Sequence, residues 1–208
     1  MEKRIADGLR QGVEALRRFL EKRQRKSLAL WVALVALGAY VLLGLVGPPP
    51  PQTRPLKAPL PAPAATFGEG EVVWGLVFWW RCPACKRLLE RMEPGLLGER
   101  PWSRAFHLYL YDLSPEDAEK TALFLCTPGD AGKKLWELSR KEVVEDAVAP
   151  LRASPCFLEA LERSRETQER LRQNRVDWTP ALILNGKLLA PEERYYGQFL
   201  WDVLRERW

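Results

Sequence analysis

Histidine is nearly missing from this chain: of 208 residues only His107 can supply an imidazole. A His-based triad elsewhere and any multi-histidine metal site are thereby excluded. His107 itself stands in the apolar run Ala105 to Tyr111, where a packed core position is expected. Cysteine is scarce too. Of the four present, only Cys82 and Cys85 have ligand spacing, so a zinc site would have to recruit the isolated Cys126 and Cys156. Basic charge is lacking from most of the chain. The net charge is +5, but residues 1–26 carry nine Lys/Arg against four Asp/Glu, and the remainder holds 23 of each sign. That distribution argues against a nucleic-acid partner and for a membrane-flanking segment. Internal repeats are absent. Only two Asn and two Met occur, Pro is abundant and Arg exceeds Lys twofold, a composition that points to a thermophile.

The stretch just after the basic segment explains it. Leu28 to Val46 contains no charged residue and would span ~28 Å as a helix, close to the thickness of a bilayer's hydrocarbon core. With Arg23, Arg25 and Lys26 crowding its start, the positive-inside rule places residues 1–27 in the cytoplasm and the rest outside it. A cleaved signal peptide would be shorter and carry a small-residue site nearby, so an uncleaved single-pass anchor over 28–46 is expected. The cytoplasmic piece repeats Ile5, Leu9, Val13, Leu16 and Leu20 at helical spacing. An amphipathic helix on lipid or against a partner fits, and so does a charged helix that only fixes topology. Gly47 to Thr66 holds eight prolines in twenty residues and reads as a polyproline stalk that could reach up to ~60 Å.

A globular domain is expected over 67–208. Val72 to Trp80 is a buried strand, Pro83 to Leu97 a helix, and Ala105 to Tyr111 a second strand. Ser114-Pro115-Glu116-Asp117 starts a helix, with serine as cap, proline in the first turn and acids at the positive end of the dipole. Helices are expected at Glu116 to Cys126, Ala131 to Val148 and Cys156 to Asn174. Asn185-Gly186 marks a type I′ turn between strands Ala181 to Leu184 and Lys187 to Ala190. Pro191 to Trp208 is a closing helix.

The chemistry concentrates in Trp79-Trp80-Arg81-Cys82-Pro83-Ala84-Cys85. Two cysteines at i and i+3 at a strand-to-helix junction share the first helical turn. There, unpaired N–H groups and the helix dipole favour a thiolate. A lone C-x-x-C is also half of a zinc site, so it needs support. The support is Val176-Asp177-Trp178-Thr179-Pro180-Ala181, just before the hairpin. Strand, C-x-x-C helix, strand, helical block, Thr-Pro, hairpin and helix in that order resemble the thioredoxin fold with an inserted helical subdomain, at about 114–175. More narrowly they are similar to the DsbA-like thiol–disulfide oxidoreductases. Gly132-Lys133-Lys134-Leu135-Trp136-Glu137 also resembles a recurrent run of that family.

The resemblance implies an α/β fold and a cis Thr179–Pro180 bond facing the cysteines, where an extended substrate could add as a strand. Without it, Pro180 would read as a trans residue blocking an edge. It implies Cys82 as the nucleophile and Cys85 as the resolving thiol, with Thr179, Pro180, Trp80 and Trp178 around the substrate. Trp79 and Trp80 are equally readable as core. No cofactor or metal is implied. Partners would be exported proteins bearing thiols or disulfides, and a membrane redox partner, either quinone-linked (DsbB- or VKOR-like) or a reducing transmembrane protein. The location would be the inner membrane, with the catalytic domain periplasmic. The Cys82 thiol should be acidified chiefly by the helix N-terminus, and uncharged Ala84 predicts only moderate oxidising power. One departure stands out. Many relatives carry a buried carboxylate six residues before the first cysteine, and here that position is Leu76. Proton transfer would then fall to water, or to Glu69 or Glu71 folding back. Outside the cytoplasm Cys126 and Cys156 suggest a structural disulfide; two buried thiols are the alternative. A reductase or isomerase, for example in cytochrome maturation, and a non-catalytic thioredoxin-like module remain as other functions.

Overall fold

The computed structural model describes residues 51–141 and 145–205. The basic segment 1–27 and the expected span 28–46 lie outside the described residues, as do residues 47–50 of the proline-rich stretch. No helix among the described residues is long and apolar enough to cross a membrane.

The centre of the domain is β3 (Val72–Phe78), followed by helix α1 (Pro83–Leu96) and by β4 (Ala105–Leu110), which lies parallel to β3. The strand is apolar throughout because both its faces are covered. Trp74, Leu76 and Phe78 point into a core shared with Leu88, Leu89 and Met92 of α1, while Val77 points into a second core with Tyr109, Ile183 and Leu171. On the far side of β3 lies the hairpin β5 (Ala181–Leu184) and β6 (Lys187–Leu189), antiparallel to it. Asn185 and Gly186 both have positive φ, at 49° and 71°, as the Asn-Gly signal requires. The closing helix α6 (Glu193–Leu204) packs Phe199, Leu200 and Val203 onto the α1 side.

Between β4 and β5 sits the helical insertion: α2 (Pro115–Cys126), α3 (Ala131–Arg140), α4 (Glu145–Val148) and α5 (Pro155–Gln173). Ser114 caps α2 by accepting from the Asp117 N–H, as its sequence announces. The single helix expected over Ala131 to Val148 is instead broken after Arg140. Lys141 turns extended, and its carbonyl accepts from Lys120 Nζ at 2.5 Å instead of continuing the helical ladder. Gly132 lets the start of α3 approach α1, since a β-carbon there would lie 2.3 Å from the Leu96 carbonyl oxygen. Cys126 and Cys156 form a disulfide that joins the end of α2 to the start of α5. The element order and the mixed sheet are those of a thioredoxin-like fold with a helical insertion.

The main correction concerns the proline-rich stretch, expected as a stalk up to Thr66. From residue 51 onward it belongs to the domain. Thr53–Pro55 form β1 against β6, and Ala65–Phe67 form β2 against β4, so the six-stranded sheet runs β1-β6-β5-β3-β4-β2 and both of its edges are capped by this one segment. Between them the chain crosses one sheet face. Five strand spacings of ~4.8 Å make ~24 Å, within reach of the nine residues 56–64 at ~3.1 Å each. Leu56 and Leu60 pack there on the Val77, Tyr109 and Ile183 core. Asn174, 3 % exposed, holds the crossing by accepting from the Lys57 and Ala58 N–H groups and donating to the Ala58 carbonyl. Proline suits such a strap, because it is already extended and its missing N–H costs nothing at a sheet edge. His107, expected in the core, is half-buried beneath the strap, with Nδ1 3.0 Å from Thr66 Oγ1.

Removing the strap should therefore weaken the fold, not merely free it. A chain starting at Phe67 is expected to be less stable than one starting at Pro51 by roughly 3 kcal/mol, from the lost Leu56 and Leu60 burial and edge hydrogen bonds. Urea unfolding of the two chains checks this, and equal midpoints would contradict it.

Candidate functional site

Strand β3 ends at Phe78, and three residues later the chain enters α1 with Cys82 as the N-cap (φ −70°, ψ 119°) and Pro83 in the first turn. Proline is tolerated there because its missing N–H has no helical partner anyway. The Cys82 sulfur accepts from the Cys85 N–H at 3.3 Å, doing what a serine or aspartate oxygen does at other caps. The same sulfur lies 3.1 Å from the carbonyl oxygen of Thr179, 97 residues away in the chain, and the Thr179–Pro180 bond is cis. Tyr196 of α6 donates its hydroxyl to the Pro180 carbonyl at 2.7 Å and so fixes that loop from below. The structure thus brings together Cys82, Cys85, Thr179 and Pro180 as expected, and adds Tyr196. Nothing in the sequence singles out Tyr196, which stands there as one aromatic among several in the closing helix.

The two thiols differ sharply. The largest influence on Cys82 is the hydrogen bond with the Cys85 side chain, which lowers its pKa. Burial opposes it, and hydrogen bonds from Thr179 and from the backbone at Cys85 and Ala84 lower it further. The outcome is a thiol brought from 9.0 to about 5. Helix-end N–H groups contribute, as the sequence suggests, but the neighbouring thiol outweighs them. Burial drives the Cys85 pKa far up instead. Burial also raises Tyr196 to about 12, reinforced by the Cys85 and Cys82 charges. Cys82 is the more exposed of the two thiols, at 5 % against 0 % for Cys85, and lies between exposed Arg81 and Pro83.

Two further expectations are corrected. Trp80 does not line a substrate groove: it is 1 % exposed, packed edge-on to Phe78 and donating from Nε1 to Thr121 Oγ1 at 2.9 Å. Glu69 and Glu71 cannot serve the thiols. They precede β3, whereas Cys82 follows it, which separates them by about 20 Å of strand. Leu76 is fully buried and offers no proton acceptor. Trp178 is half-buried beside the cis bond, with the Arg54 guanidinium of the strap 5.2 Å from its ring. The disulfide takes Cys126 and Cys156 out of any four-cysteine metal site.

Sequence reasoning missed how the approach to Cys82 is held. Trp79 Nε1 and Arg81 Nε donate to the two oxygens of Asp117, at 2.9 and 3.1 Å, and Arg81 also pairs with Glu116. Trp80 leans on Thr121, whose hydroxyl donates to Asp112 at 2.7 Å; Ser164 donates to the other Asp112 oxygen at 2.5 Å. Asp112 is 0 % exposed, and burial raises its pKa to about 6 against the hydrogen bonds that lower it. Beside Ala84 and Pro180 opens a groove of about 380 Å³, lined by Leu88, Arg87, Arg91 and Tyr196 among others.

No family model and no curated protein matches the chain. Among solved structures it is similar to the oxidoreductase NmDsbA1 from N. meningitidis, at 15% identity and TM-score 0.48, over 74% of this chain and 90% of that one. The catalytic domain of Proteus mirabilis ScsC matches at 22% identity and TM-score 0.44, over 69% and 88%. A DsbA disulfide interchange protein from Klebsiella pneumoniae matches at 14% and 0.46, over 73% and 89%.

This geometry sets the outcome of two titrations. Alkylation of Cys82 by iodoacetamide should track its thiolate, half-maximal near pH 5, where an ordinary thiol would still be climbing toward ~8.5. A midpoint above pH ~8 would refute the depressed pKa. Asp112 acts on stability with the opposite sign from a salt-bridged acid. Its folded pKa of about 6 exceeds the ordinary 3.8, so its contribution is whole below 3.8 and is lost as pH rises through 6. The melting temperature of Asp112→Asn should lack that decline, and identical slopes in the two proteins would contradict the assignment.

Proposed function

We propose that this chain is a protein thiol–disulfide oxidoreductase of the DsbA type, held outside the cytoplasm by residues 28–46 and forming disulfides in exported polypeptides. The observation that carries the reading is the Cys82 sulfur, acidic and capping α1, 3.1 Å from the carbonyl that precedes a cis proline. A thiolate stabilised by the Cys85 side chain and by the N–H groups of the helix start favours the reduced pair, which makes the oxidised pair an oxidant.

In the oxidised protein a substrate thiolate attacks the Cys82 sulfur. The Cys82–Cys85 bond breaks, its electron pair stays on the Cys85 sulfur, and Cys85, buried and basic, takes a proton. A second substrate thiolate then attacks the substrate sulfur of the mixed disulfide and releases the Cys82 thiolate, a good leaving group because its pKa is low. The substrate loses two electrons and two protons; the pair gains both electrons and keeps one proton on Cys85. A quinone-linked membrane partner would restore the disulfide. The peptide lies along Thr179, whose carbonyl faces the sulfur, with its next side chains in the groove between α1 and α6. Trp178 borders that path.

One observation favours a second reading, a thioredoxin-like binding module with a static cysteine pair: Cys82 is only 5 % exposed. Activity separates the two. The full-length protein should oxidise a reduced dithiol peptide and Cys82→Ser should lose at least ~100-fold of that rate, while Cys85→Ser, offered the disulfide form of the peptide, should trap it as a mixed disulfide on Cys82 with release of the peptide's other thiolate. A wild-type rate no greater than that of Cys82→Ser would leave only the binding module.

A further inference from the structure

Arg81 immediately precedes Cys82, and a guanidinium there would be the nearest cation to the reactive sulfur. It is turned away. Its Nε donates to Asp117 Oδ1 at 3.1 Å, and its second nitrogen is paired with Glu116. The arrangement is built: Asp117 is 2 % exposed, and its Oδ2 also accepts from Trp79 Nε1 at 2.9 Å and from the Leu113 N–H at 3.2 Å. Arg81 itself is half exposed, at 51 %, and only its head is tied down. The three charges sum to −1, so the cluster as it stands gives the Cys82 thiolate no net cationic help.

We propose that Asp117, with Glu116, is a positioning residue that holds the Arg81 guanidinium against α2, withholds its charge from the Cys82 sulfur and so limits how oxidising the Cys82–Cys85 pair is. The inference rests on thiol–disulfide exchange at that pair and deepens it, because it concerns which way electrons flow. Asp112, which interacts with Asp117, and Lys120, with Nζ 5.5 Å from the Trp80 ring, are further charged groups beside this segment, and Lys86 and Arg87 follow in the first turns of α1. Without Asp117 the guanidinium keeps only its solvent-exposed pairing with Glu116, which leaves it free to spend time nearer the neighbouring thiolate. Two unit charges ~7 Å apart in water interact by enough to shift a thiolate-to-thiol ratio about threefold.

The test is a double-substitution cycle on the full-length protein, read by thiolate absorbance against pH and by equilibrium with glutathione. Neither readout needs a protein substrate, so both stand even if the peptide-oxidation assay fails. Asp117→Asn is expected to raise the Cys82 thiolate-to-thiol ratio about threefold and the potential by about 14 mV, from the 29.6 mV that accompany each tenfold change. In the Arg81→Gln background the same substitution should change the ratio less than about 1.5-fold, because the group it frees is gone. Glu116→Gln, at a surface position that leaves the buried contacts intact, should show a smaller shift with the same dependence on Arg81, and it decides the matter if Asp117→Asn fails to fold. No shift, a shift to weaker thiolate, or equal shifts with and without Arg81 would overturn the proposal.

Discussion

The contact between the Cys82 sulfur and the Thr179 carbonyl organises this molecule. It requires a helix start and a cis-proline loop from distant parts of the chain to meet within hydrogen-bonding distance. The sheet supplies that meeting. β3 delivers Cys82 at its end, β5 begins beside it one residue after Pro180, and the two strands are antiparallel neighbours with Val77 opposite Ala181. The loop is then fixed from α6 by Tyr196 and approached from the strap by Arg54 beside Trp178. No single element carries the site; its geometry is the register of two strands. A one-residue slip in that pairing would turn Trp74, Leu76 and Phe78 to the wrong face, so the core that stabilises the fold also fixes the register.

The site's chemistry is legible in the sequence because it rests on local rules. Cysteines at i and i+3 before a helix, Ser114-Pro115 before another, and Asn185-Gly186 between strands each dictate backbone geometry within a few residues. Features settled by tertiary contact escape such rules. The strap is invisible because proline density signals an extended, solvated chain, and only Leu56, Leu60 and Phe67 mark where it would find a surface. Trp80 looks free to meet substrate, yet its partner Thr121 lies 41 residues away, and the indole is drawn inward to reach it. The break after Arg140 depends on a lysine from a neighbouring helix. Leu76 shows at once that a carboxylate is lacking, but whether Glu69 or Glu71 could replace it depends on which end of β3 they occupy.

The helical insertion does more than decorate the sheet. It has a small core of its own, with Leu123, Val148, Phe157 and Ala160, and a disulfide closing the 30-residue loop from Cys126 to Cys156. In the chain-entropy picture such a loop stabilises by ~3.6 kcal/mol. From that base, and from the loop that leads into it, two carboxylates reach the three residues before Cys82. Asp117 takes Trp79 and Arg81; Asp112 takes Trp80 through Thr121. Burying Asp112 works against stability at neutral pH. The network of Thr121, Ser164 and Trp80 that satisfies it ties the insertion to the reactive turn.

The proline-rich strap has a meaning for solubility apart from its packing. Open rims are where β-proteins recognise one another by mistake, since unpaired N–H and C=O groups invite a strand from any neighbour. Here both rims are formed by one continuous piece of the same chain, in strands of three residues each, and Pro55 removes a donor from one of them. Molecules crowded side by side would therefore meet only a three-residue strand at either rim, a short template for fibre-like growth.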